Sequence, residues 1–194
     1  MRAPRRLGLP RGLVLGALAI LLLSSCGGPF PPPIPTQGPL PHVSWLAYHD
    51  DRVGFSIQHP LTWQRVDDGS GPVVLALQAA PGTNLLEKRL EINVRPEAAD
   101  CKQATYEGGG GAAPKTVSVN GVEFLREAGT GIAAGNIYDW TSYSTRKNTT
   151  CITLTFVLHS SSSGVYPTEP APFDRAAESA IFDEMLNTFR FDSY

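Results

Sequence analysis

The chain has 194 residues, 16 Lys and Arg against 18 Asp and Glu, and a formal net charge of −2. No long block of one sign occurs, which excludes the basic footprint that nucleic acid and anionic lipid headgroups reward. The length suits one domain once the terminal segments are set aside.

Arg2, Arg5, Arg6 and Arg11 precede an apolar run from Leu13 to Leu23, which closes on Ser24-Ser25-Cys26 and then Gly27-Gly28. A basic start, a short apolar run and small residues before a cleavage point make a secretory signal. The run is too short for a transmembrane helix, which needs roughly 20 residues. Arg5-Arg6 lacks the flanks of a twin-arginine signal. Leu23–Cys26 resembles a bacterial lipobox; the alternative is an ordinary cleaved signal with Cys26 left as a free thiol. The lipobox resemblance implies that residues 1–25 are a removed signal peptide and that Cys26 is lipidated as the mature N-terminus. It places the protein on the extracytoplasmic side of a cell membrane or envelope. One acyl chain would hold only marginally, at about 0.8 kcal/mol per buried methylene, whereas lipoprotein maturation adds several. Loss of the leader leaves 12 basic against 18 acidic residues, a net charge of −6.

Residues 26–41 read as a tether: seven prolines fall between Gly27 and Pro41. Such a tract favours polyproline II at about 3.1 Å per residue, enough to hold a domain ~45 Å from the bilayer. The globular domain is expected over residues 42–194.

From there the signals are mostly β. Val53, Phe55 and Ile57 alternate with polar neighbours up to Gln58, Pro60 is expected to break that strand, and Trp63 to fold back onto the core. His49-Asp50-Asp51 reads as a solvated loop before it rather than a metal site. Residues 67–71 form a turn, 72–78 a short apolar strand and 81–84 another turn. Leu90, Ile92 and Val94 mark a strand ending at Pro96. Residues 97–106 suit one or two helical turns, and Gly108–Gly111 a mobile loop. Asn120-Gly121 is the strongest hairpin signal, pairing Val119 with Val122 and Val117 with Phe124. Residues 136–145 and 151–158 form a second hairpin, followed by a loop over 160–164. Between Asp174 and Phe189, a helix is expected to bury Ala177, Ile181, Met185, Leu186 and Phe189 on the sheet. The expected class is α+β, an antiparallel sheet of about six strands with a C-terminal helix packed on it.

With Cys26 committed to lipid, Cys101 and Cys151 remain as an even pair in an exported chain. Neither sits in a C-x-x-C, so a disulfide is expected rather than a redox pair or two free thiols.

Gly54-Phe55-Ser56-Ile57-Gln58-His59-Pro60-Leu61-Thr62-Trp63 and residues 182–191 together resemble the opening hairpin and the closing helix with edge strand of PsbP-like domains. These are packing signatures without chemistry. The resemblance covers roughly residues 45–192 and implies an antiparallel sheet with helices on both faces. The best-known member of that family is an extrinsic, non-enzymatic subunit of photosystem II, and many bacterial members are lipoproteins. The weak first helix and the Gly-rich loop depart from the pattern.

Other patterns carry little. Gly129–Gly135 mimics a dinucleotide-binding glycine run, but a strand follows where a helix is required, so a flexible hairpin loop is expected. Ser144-Thr145-Arg146-Lys147 spells S-x-x-K without its partner motifs. Ser160–Ser163 carries no nucleophile elbow, and Asn148-Thr149-Thr150 is a sequon without consequence in a bacterial host. His42, His49, His59 and His159 lack metal-ligand spacing. No catalytic set, cofactor or metal is expected. Tyr138, Trp140 and Ser142 share one strand face. If that face is open, Tyr138 and Trp140 would bind a small ligand beneath a Gly108–Gly111 lid; cross-strand packing is the alternative. The leading expectation is a membrane-anchored, non-enzymatic interaction or assembly module with a protein partner at the envelope.

Overall fold

A computed structural model describes residues 43–103, 113–162, 164 and 168–192. Cys26, the tether, His42, Tyr106, Ser163 and the Gly108–Gly111 loop lie outside the described residues.

The described residues form two antiparallel sheets and one helix. The small sheet has the order β1-β2-β10, from Trp45–Asp50, Phe55–Pro60 and Arg190–Phe191. The large one has the order β3-β4-β5-β9-β8-β7-β6. Its strands are Gln64–Arg65, Val73–Gln78, Leu85–Arg95, Lys115–Val119, Val122–Ala133, Asn136–Lys147 and Thr150–Ser161, numbered β3 to β9 in chain order. The α+β class stands, but the large sheet alone has seven strands rather than about six.

The Asn120-Gly121 hairpin forms in the expected register, with Val119 opposite Val122 and Val117 opposite Phe124. Both turn residues hold positive φ, 51° and 78°, as a type I′ turn requires. Asn120 Nδ2 donates to the carbonyls of Asn187 and Phe189 at 2.6 and 3.2 Å, tying this hairpin to the end of the helix.

Several expectations are corrected. His49 and Asp50 belong to β1, not to a loop. Asp50 accepts from the backbone N–H groups of Arg52 and Val53, so its carboxylate caps the turn into β2. β2 runs through Pro60, which is its last residue and needs no further ladder bond. Gly129–Ala133 is strand, and only Ala134-Gly135 turns. Ser160 and Ser161 extend β9 and are buried. Residues 97–103 are not helical.

Helix α1 spans Arg175–Leu186, and its cap Asp174 accepts from the N–H groups of Ala176 and Ala177. Its buried face is Phe182, Met185 and Leu186, with Ala177 exposed and Ile181 half-buried. Met185, Leu186 and Phe189 are buried as expected, and the expected stripe missed Phe182. Phe182 meets Trp63 edge-on at 6.0 Å and Phe156 at 5.0 Å, and Phe189 stacks on Phe55 at 5.6 Å. These aromatics, with Leu90, Ile92, Ile152, Leu154 and Leu158, form the core between α1, the small sheet and one face of the large sheet. Among the described residues no helix covers the opposite face.

Candidate functional site

That opposite, outer face holds the residues singled out as a ligand platform. Cross-strand pairing sets Glu87 beside His159 and His159 beside Tyr138, and in the next row Arg89, Val157, Trp140 and Gly129. Tyr138 stacks on His159, with ring centroids 4.6 Å apart and planes 15° from parallel. The Arg89 guanidinium lies 5.7 Å from the Tyr138 centroid and bonds to Glu87 at 3.2 Å and Glu91 at 2.9 Å. The Trp140 ring lies over Gly129, where a Cβ would come within 2.6 Å of it. Both predicted binding aromatics are therefore packed against neighbours of their own sheet.

The remaining outer face is a polar layer. Ser142 pairs with Thr155 and Ser144 with Thr153, each through hydroxyls 3.2 Å apart, and all four residues are buried. Cys151 at the end of this layer is bonded to Cys101. Arg146 donates to the carbonyls of Ala98 and Ala99, Arg95 to that of Lys102, and Glu127 accepts from the N–H of Gln103. Residues 97–103 thus form a strap fastened to β5, β9, β8 and β7 in turn. Burial pushes the His159 imidazole below its ordinary pKa; Glu87 opposes the shift and Arg89 adds to it. His159 Nε2 lies 2.8 Å from Asn136 Oδ1.

The inner face carries an open cleft of about 610 Å³ between α1 and strands β7, β8 and β9. Its floor is Tyr143, Phe156, Leu158 and Phe182, with Ala128, Thr130 and Thr141 on the sheet side and Ala176 and Ser179 on the helix. The buried Asp139 carboxylate takes Arg175 Nη2 at 2.6 Å and the Thr130 hydroxyl at 2.6 Å, binding the first turn of α1 to the sheet. Arg126 faces the same cleft, its Nε 3.4 Å from the Tyr143 hydroxyl. A cleft of this size, with an aromatic floor and polar side chains on its walls, has the dimensions of a small-molecule site. Sequence reading missed Arg126, Asp139 and Arg175. The available signal was Asp139 itself, an acid on the strand face that it shares with Thr141 and Tyr143.

Other singled-out residues stay apart. Ser144 and Lys147 project to opposite faces of β8, three residues apart on a strand, so S-x-x-K forms no site. Ser144 is held by Thr153, while Lys147 Nζ donates to the Gly54 carbonyl at 2.7 Å. His49 is on β1 and His59 is buried on β2 against its own neighbour's carbonyl. Among the described residues no three His, Cys, Asp or Glu side chains group as a metal-ion ligand set.

No family model matches the chain, and no curated protein does. Among solved structures, the chain is similar to the solution structure of cyanobacterial PsbP (CyanoP) from Synechocystis sp. PCC 6803. The match has 16% identity and a TM-score of 0.48, and covers 82% of this chain and 99% of that one. A crystal structure from Bacteroides thetaiotaomicron is similar at 11% identity and a TM-score of 0.45, over 76% of this chain and 48% of that one. The chain therefore spans about half the length of the second structure.

Proposed function

We propose that this protein is a lipid-tethered, extracytoplasmic lipoprotein whose folded domain is a non-enzymatic interaction module for a protein partner at the cell envelope. The lipobox at Leu23–Cys26 and the Pro-rich residues 26–41 support the tether. The sequence resemblance to PsbP-like domains supports a role without chemistry. The observation that carries the interaction reading is an apolar group at one end of the β1–β2 hairpin. Leu46 and Leu61 are 50% and 60% exposed; Leu46 pairs with His59 and the Leu61 N–H bonds to the Ser44 carbonyl, so the two are diagonal neighbours on one face of the hairpin, and Val43, 44% exposed, precedes Ser44. Grouped exposed apolar side chains mark contact surfaces, whereas single ones need no explanation.

The test is site-specific photo-crosslinking in intact cells. A photoreactive residue at position 61 should trap one protein species that the same residue at exposed Glu184 does not, and Leu46→Asp should remove the product. Equal capture from both positions, or none from 61, contradicts the reading.

A further inference from the structure

The cleft beneath α1 lies on a different part of the domain from that apolar end, and its chemistry is more specific. Its volume, about 610 Å³, exists because small residues face one another across it: Ala176 and Ser179 on the helix, Ala128 and Thr130 on β7. Its floor is four apolar or aromatic side chains already packed together, with Tyr143 edge-on to Phe156 at 6.0 Å and Phe156 against Phe182 at 5.0 Å. The floor is thus fixed before anything enters.

The charges in the cleft are not equivalent. Arg175 and Asp139 satisfy each other at 2.6 Å, and Asp183 is exposed. Arg126 differs. The other half-buried arginines among the described residues each have a carboxylate: Arg89 has Glu87 and Glu91, and Arg95 has Asp100 at 3.7 Å. Among the described residues Arg126 has only the Tyr143 hydroxyl, at 3.4 Å, so its fork of donors retains capacity toward the cleft. Guanidinium geometry matches carboxylate and phosphate groups bidentately. We propose that this cleft binds a small amphipathic anion, with its charged head on Arg126 and its apolar body on the Tyr143, Phe156, Leu158 and Phe182 floor.

The probe is 1-naphthylacetate, with 2-(1-naphthyl)ethanol as the same body without charge and acetate as the head alone. Binding is measured by titration calorimetry on the full chain in lipid nanodiscs, with empty nanodiscs subtracted. Naphthylacetate should saturate at one per chain and bind at least tenfold more tightly than the alcohol, and acetate should show no saturation over the same range. Arg126→Gln should erase the preference for the anion and leave the alcohol's affinity in place, and Arg126→Lys should keep part of the preference. Ser179→Leu, which fills the cleft from the helix, should abolish binding of both aromatic compounds at an unchanged thermal midpoint. Absence of saturable naphthylacetate binding to the wild-type chain overturns the proposal. So does an anion preference that survives Arg126→Gln, or binding that survives Ser179→Leu.

Discussion

The two faces of the large sheet solve the same problem in different ways. Both must cover the strands β5, β9, β8 and β7. The inner face does it with a helix and aromatics, and the first turns of that helix carry residues too small to close the gap, which leaves the cleft. The outer face among the described residues has no helix. It is covered by long ion-paired side chains, a hydroxyl layer and a strap fixed by the Cys101–Cys151 bond. A face closed by polar contacts needs each donor and acceptor matched and leaves little room for a guest, whereas an apolar face tolerates a void. The aromatics that alternate most visibly in the sequence, Tyr138 and Trp140, therefore lie on the filled side.

Breaking the strap should have the largest effect. Replacing Cys101 and Cys151 together by serine frees a loop of 50 residues and should cost about 4 kcal/mol in urea unfolding, with amide protection lost first around Arg95, Arg146 and Gln103. Gly129→Ala should follow, at roughly 1–3 kcal/mol, because the new methyl meets the Trp140 ring; Trp140→Leu in the same chain should recover part of that loss. On the inner face, Arg175→Ala leaves the buried Asp139 with Thr130 alone. Arg175 is itself mostly exposed, so the loss should be about 1–2 kcal/mol by thermal unfolding. The smallest effect is in pH dependence. With a folded pKa below its ordinary value, His159 contributes stability that is complete above pH ~6.5 and lost as pH falls below it. His159→Gln should flatten the stability profile below pH ~6.5 and leave it unchanged above.

Local rules made part of this legible. Asn120-Gly121 dictated its own turn and register, and the even count of cysteines left by the expected lipidation of Cys26 was enough to pair Cys101 with Cys151. The helix was recognisable between Asp174 and Phe189, but its face only in part: Met185, Leu186 and Phe189 are buried as read, and Phe182 was missed. Phe182 is buried because Trp63 and Phe156, far away in sequence, come to meet it. β1 was hidden because its polar end, His49-Asp50, has the composition of a loop and gains strand character only from pairing with β2. Gly129 and Gly131 suggested a loop for the same kind of reason. Gly129 suits a strand here because the Trp140 ring from β8 occupies the space a side chain would take. The cleft was unreadable because Arg126, Asp139 and Arg175 meet only through the docking of α1 on two strands.

The proposed setting on which the strap and the tether both depend is an exported, lipidated chain in an oxidising compartment. Intact mass measurement of the protein extracted from its native membrane without reductant tests it most directly. The predicted result is a chain that starts at Cys26, carries the mass of its acyl groups, and is two hydrogens lighter than the reduced form. A chain retaining residues 1–25, or one beginning at an unmodified Cys26 with two alkylatable thiols besides, would contradict it.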